Sequence, residues 1–156
     1  MSFDADTFLA APVQGALSTT STPPPAGEHE ATVVKLVARQ NTSDKGTFTT
    51  VDVTWELDDP NGRIKAITNR DKNTCRQSIF LDLTEEGKLD TRKGMNVGLG
   101  IFRDALGQND PNKPWSFSMP EGHRAKVNVI HETRKDNPEI IDAKVNKVAA
   151  LRKKAS

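Results

Sequence analysis

Two phenylalanines stand out of step with the apolar pattern around them. In GTFTTVDVTWEL, Val51, Val53, Trp55 and Leu57 alternate onto one face, while Phe48 falls on the other with Thr50, Asp52, Thr54 and Glu56. In CRQSIFLDL, Ile79, Leu81 and Leu83 share a face, and Phe80 shares the opposite one with Arg76 and Ser78. An aromatic ring on a polar face gains nothing from burial unless something covers it. Left uncovered, a flat ring is a platform on which a nucleobase stacks, worth ~1–3 kcal/mol per base, and nearby cations neutralise the phosphates. A cover of loops or of the N-terminal segment is the competing arrangement for both rings. Trp55 keeps register with the apolar face and reads as core. Trp115 and Phe117 read as plugs in a loop.

The basic residues fall where such a site would need them. Lys45 lies in the first hairpin loop, and Arg134 and Lys135 lie in the last. Arg63, Arg70, Lys72 and Arg76 occur along the third segment, and Lys35, Arg39, Lys126 and Lys144 are strand residues of the type that points to solvent. Any one of them alone reads as a solvated surface charge. As a group they predict binding that weakens with salt. The net charge of +1 excludes a chain that holds polyanions by bulk charge. Charge is uneven, however: residues 123–156 hold nine Lys or Arg against four Asp or Glu, so local basic patches can exist.

No constellation of residues points to catalysis. His29, His123 and His131 are far apart and lack metal-ligand spacing. Cys75 is the single cysteine, which excludes an intrachain disulfide and a cysteine metal cluster; it reads as a small packing residue. The GLG at 98–100 is too short for a dinucleotide fingerprint, and DDPNG reads as a turn because the EF-hand spacing is absent. The chain is therefore expected to be a non-enzymatic binding protein with no cofactor and no metal.

The elements that must position these residues can be read from composition and periodicity. Residues 1–26 form a Ser/Thr/Pro-rich segment without apolar periodicity, expected to be a mobile tail with Pro23, Pro24 and Pro25 as a semi-stiff spacer. A strand is expected over about 28–39, followed by the turn QNTSDKG and the strand GTFTTVDVTWEL. Residues 63–83 read as one long or interrupted strand, with RIKAIT as its first half. KGMNVGLGIFRDALGQN is the one helix candidate: Met95, Leu99, Phe102 and Leu106 form a stripe, Asp90 or Thr91 is positioned to cap its start, and Gly107 to end it. HRAKVNVIHET, with Ala125, Val127 and Val129 on one side, and IIDAKVNKVAAL complete the set. Three strands, a helix and two strands predict a mostly β fold: a five-stranded OB-like Greek-key barrel over 27–150, with one helix between strands 3 and 4. An SH3-like barrel or a small β-sandwich would give much of the same pattern. Residues 151–156 are a short basic tail.

The order PPPAGEHEATVV, VDVTWEL and then QSIFLDLTEEGKLDTRKGMNVGLGIFRDALGQN resembles a family of small phage-encoded proteins described as single-stranded-DNA-binding-like, with an OB-type core. The resemblance covers about residues 24–148, and its most specific piece is FLDLTEEGKLDTRKGMNVGLGIFRDALGQN. It implies a role coating exposed strands in phage DNA replication or recombination. The expected partner is single-stranded DNA, with phage replication or recombination proteins and self-association as further partners. One departure matters: bacterial single-strand-binding proteins end in an acidic tail that recruits partners, whereas this chain ends in LRKKAS. No stretch reaches the ~18 apolar residues of a membrane span, and the N-terminus is a poor secretory signal. The expected setting is the cytoplasm of the host cell. The competing function is a protein-interaction or virion-associated β-barrel whose same face contacts protein.

Overall fold

The computed structural model describes residues 2–151. Five strands close into a barrel: β1 (Gly27–Ser43), β2 (Gly46–Leu57), β3 (Thr74–Leu81), β4 (Arg124–Thr133) and β5 (Ile141–Ala149). Three helices accompany them: α1 (Ala5–Ala10), α2 (Arg63–Thr68) and α3 (Val97–Ala105). The barrel order is β1-β2-β3-β5-β4, with β4 returning to pair with the first half of β1. All pairings are antiparallel except β3–β5, which meet in parallel at Arg76 and Lys144. This is the five-stranded Greek key of the OB type, with α3 between β3 and β4.

The core follows from strand alternation. Val51, Val53, Trp55 and Leu57 of β2, Ala125, Val127 and Val129 of β4, and Cys75 and Ile79 of β3 all point inward and are buried. Phe102 of α3 enters the barrel and meets Trp55 edge-to-face, with ring centroids 5.8 Å apart. Leu99 and Ala105 bury the same side of α3. Trp115 packs partly against this core, its indole donating to Gln108 Oε1 at 3.0 Å and the Arg103 guanidinium lying 4.6 Å above its ring.

Three local readings are corrected. β1 runs past the expected end at 39 to Ser43, because the hairpin with β2 continues beyond the barrel wall to a turn at Ser43–Gly46. RIKAIT is not strand but the helix α2. Gly62 and Asn69, both with left-handed backbones, bracket it, and the Asp59 carboxylate accepts from the N–H groups of Ile64 and Lys65 at 3.0 and 2.9 Å. Those two donors hold the Asp59 carboxyl below its usual range. DDPNG is thus a turn that also carries the helix cap, and burial of Ile64 and Thr68 fixes the helix against the barrel.

The α3 start also differs. Neither Asp90 nor Thr91 caps it; α3 begins after Asn96, whose backbone is left-handed at φ 53°. The Asn96 side chain instead staples the preceding loop: Oδ1 accepts from the Asp82 N–H at 2.7 Å, and Nδ2 donates to the Asp82 and Asp90 carbonyls at 2.9 and 2.8 Å. Asn accepts a left-handed backbone more readily than other non-glycine residues, which suits it to this corner. Gly107, at φ 70°, stands just past the helix end as expected.

Within the segment 1–26, the proline end lies on the barrel. Pro24 is buried where β1 begins. Since a carbonyl oxygen only accepts, His131 Nε2–H donates to Pro24 O and His29 Nε2–H to Pro25 O, each at 2.7 Å. Arg70 Nη2 donates to Thr22 O at 3.0 Å. Composition did not predict this clasp, because its donors come from three distant parts of the chain.

Candidate nucleic-acid interface

The outer face of β1, β2 and β3 gathers several of the residues singled out from sequence. Directly paired residues on neighbouring strands point to the same side of a sheet. Lys35, Thr54 and Arg76 form one such row, and the parallel step from Arg76 to Lys144 extends it onto β5. The next row is Val37, Asp52 and Ser78, and the next is Arg39, Thr50 and Phe80. Asn41 and Phe48 form the last row, where the β1–β2 hairpin leaves the barrel. Six residues separate the Thr54 row from the Phe48 row, a length of about 20 Å along the strands. One end of this strip is cationic and the other aromatic.

A bulge keeps the strip in phase. Val33 faces inward opposite Trp55, Val34 is the extra residue, and Lys35 then pairs with Thr54 on the outside. Were Val34 to take its place in a strictly alternating ladder, with no bulge, Lys35 and Arg39 would point into the core. The sequence carries no signal for the bulge, since Val33 and Val34 are the same residue type and nothing marks Val34 as the extra one. It also hides Val37, which is 42% exposed in the middle of the face.

Both candidate platforms are open to solvent: Phe48 is 41% exposed and Phe80 68%. Neither loops nor the N-terminal segment cover them. They border a trough of about 470 Å3 with Gln40, Thr49, Leu83 and Met95. As diagonal neighbours across β2 and β3, their Cα atoms are spaced by roughly 7–8 Å, so each ring presents its own face. Trp55 is fully buried, as its register required.

The cationic end forms a second trough of about 470 Å3, where Arg76, Arg134 and Lys144 meet beside Thr54. Two of these cations are held by carboxylates. Arg134 makes a two-pronged contact with Asp142, 2.9 and 3.0 Å, and Lys144 reaches Glu132 at 2.7 Å. The Arg134 hydrogen bond, with help from Lys144 and Arg76 nearby, keeps the Asp142 carboxyl below its usual range. Arg39 pairs with Asp52 at 3.1 Å, and Ser78 Oγ donates to the same carboxylate at 2.9 Å, so the one acid at mid-face is satisfied from both sides. Among the described residues Lys35, Lys45, Arg76 and Lys135 have no carboxylate partner within ion-pair distance. Lys45 sits at the tip of the β1–β2 hairpin and Lys135 in the β4–β5 connection. Those two loops flank the ligand face of an OB barrel.

Four candidates lie elsewhere. Lys126 is on β4 and pairs with Glu28 at 2.9 Å. Arg63 starts α2 and lines a recess with Glu28, Asp58 and Asp59, an acidic setting unsuited to phosphate. Arg70 and Lys72 precede β3, at the end away from Phe80, and Arg70 is engaged with Thr22. Arg152, Lys153 and Lys154 of the basic tail lie outside the described residues.

Cys75 is buried, and burial pushes its thiol up to about 11, so the group is neutral and unreactive near neutral pH. Among the described residues no group of three His, Cys, Asp or Glu could hold a metal ion, and no helix is long and apolar enough to cross a membrane. No protein-family model matches the chain, and no curated protein matches it.

Proposed function

We propose that this protein binds single-stranded DNA without sequence preference, laying the strand along the outer face of β2 and β3. Bases stack on Phe80 and Phe48, and phosphates meet Lys35, Arg76 and the loop cations Lys45 and Lys135. The single observation that carries this reading is the adjacency of two uncovered phenylalanine rings and the Lys35–Thr54–Arg76–Lys144 row on one face. A positive groove with aromatic platforms is the arrangement such binding needs. The role that follows is coating of exposed strands during DNA replication or recombination, in line with the phage family that the sequence resembles.

One observation favours a second reading, a barrel whose same face contacts protein: Arg39, Arg134 and Lys144 are already paired with carboxylates. A fluorescence titration with oligo-dT at low and high salt separates the two. Binding that weakens steeply with salt supports the first. No binding at low salt overturns the first and favours the second.

A further inference from the structure

Every residue from Ser2 to Thr22 is exposed, yet a helix is written into this stretch. Asp4 caps α1, its carboxylate accepting from the N–H groups of Asp6 and Thr7 at 3.1 and 3.4 Å and from Thr7 Oγ1 at 2.9 Å. Phe3 just before the cap packs on Phe8 in the second turn, with ring centroids 5.3 Å apart, the arrangement of a hydrophobic staple. A free helix of six residues is far shorter than the ~12–15 that are marginal in water. The cap and staple therefore define local geometry that no contact with the barrel supplies. What they present is an apolar knob: Phe3 is 75% exposed, Phe8 64% and Leu9 78%. The knob is acidic, since Asp4 and Asp6 are the only charged side chains before Glu28.

A second uncovered apolar surface lies on α3. Val97 and Ile101, one turn apart, are 58% and 54% exposed and border a groove of about 540 Å3. A Cβ added to Gly100 would meet nothing within 4 Å, so the floor there is open. On its rim, Lys93 and Arg103 lack a carboxylate partner among the described residues, Arg103 being held over Trp115 by two hydrogen bonds to Gln108 O, against Asp104 as the one acid likewise unpaired. Asp90, also at the groove, is buried and neutralised by Arg92 at 2.7 Å. The groove is therefore of mixed polarity, with an apolar strip at Val97 and Ile101 and a net basic edge that suits the acidic arm.

We infer that the N-terminal helix of one molecule seats Phe8 and Leu9 against Val97 and Ile101 of a second copy, with Asp4 and Asp6 towards Lys93 and Arg103. Laying an apolar helix face into a groove is a recurrent mode of recognition. The occupant is a second copy because the arm is exposed at every residue from Ser2 to Ser21, off its own barrel, and its root is clasped at Thr22, Pro24 and Pro25 where β1 begins. α3 covers the other end, between the close of β3 and the start of β4. Arm into groove is a head-to-tail contact that repeats, so it builds chains of molecules rather than a closed pair. The contact is small, and the expected affinity is micromolar or weaker.

Sedimentation velocity of the full chain, without DNA, tests this from about 1 μM to about 1 mM, the range of weak affinities. The average mass is expected to rise above the monomer with concentration. Phe8→Asp and Ile101→Asp, both at exposed positions, are each expected to remain monomeric with an unchanged circular dichroism spectrum. Mixed together they are expected to form a dimer and nothing larger, because one keeps its groove and the other its arm. A wild-type chain that stays monomeric overturns the inference, as does association that survives either substitution. Since no DNA is present, either result leaves the nucleic-acid reading to its own titration.

Discussion

Phe80 and Cys75 sit five residues apart on β3 and illustrate opposite fates set by strand parity. Phe80 points out and is 68% exposed, so Phe80→Ala removes little packing and should change stability by less than about 0.5 kcal/mol. Its loss should weaken oligo-dT binding by between roughly five-fold and a hundred-fold, the value of one stacked base. Fluorescence titration alongside urea denaturation checks both halves, and an unchanged affinity removes Phe80 from the site. Cys75 points in. Its folded thiol ionises at about 11 against an ordinary 9.0. Below pH 9 the group is protonated in both folded and unfolded chains, so its contribution to stability is fully present. Stability should fall as pH rises from 9 towards 11, because only the unfolded chain readily ionises. A thiol reagent at pH 8 should label the urea-unfolded protein and leave the native one unlabelled; rapid native labelling would contradict the burial.

At the scale of elements, β1 is the strand whose irregularity shapes the face. The bulge at Val34 turns Lys35, Val37 and Arg39 outward after Ala31 and Val33 have faced the core. Four cations with no carboxylate partner among the described residues, Lys35, Lys45, Arg76 and Lys135, then line or flank the strip. If each meets one phosphate, the slope of log affinity against log salt should be about −3, and Arg76→Gln should reduce it by about 0.7. A slope near zero would show that the face does not hold phosphates. Strand alternation made β2, β4 and most of β3 legible from sequence. α2 was not, because RIKAIT has too few residues to show a helical period, and its cap, Asp59, lies inside what reads as a turn.

For the whole molecule, barrel closure joins parts that the chain keeps far apart. Trp55 and Phe102 meet in the centre, and Trp55→Ala should cost about 3–5 kcal/mol, measured by urea denaturation. A smaller loss would mean that the barrel interior collapses readily around the cavity. The clasp of Thr22–Pro25 belongs to this scale too. His131→Ala removes the donor to Pro24 O and should speed protease cleavage between residues 18 and 26 while leaving oligo-dT binding unchanged. Equal cleavage rates would show that His29 and Arg70 suffice to hold the segment.

What the sequence determined by itself was set by short-range periodicity. Alternation in GTFTTVDVTWEL and HRAKVNVIHET fixed which side chains face the core, and the order of three strands, a helix and two strands pointed to the OB-like barrel while leaving an SH3-like barrel or a small sandwich open. Phe48 and Phe80 were legible as outward rings for the same reason: parity is local. The tertiary structure alone decided which cations share their face, because Lys35, Arg76 and Lys144 are neighbours only through inter-strand register. It alone moved Lys126 and Arg63 off that face, and committed His29 and His131 to the proline segment. Side-chain type is carried by each residue, whereas adjacency across strands arises only when the sheet closes and every register is fixed at once.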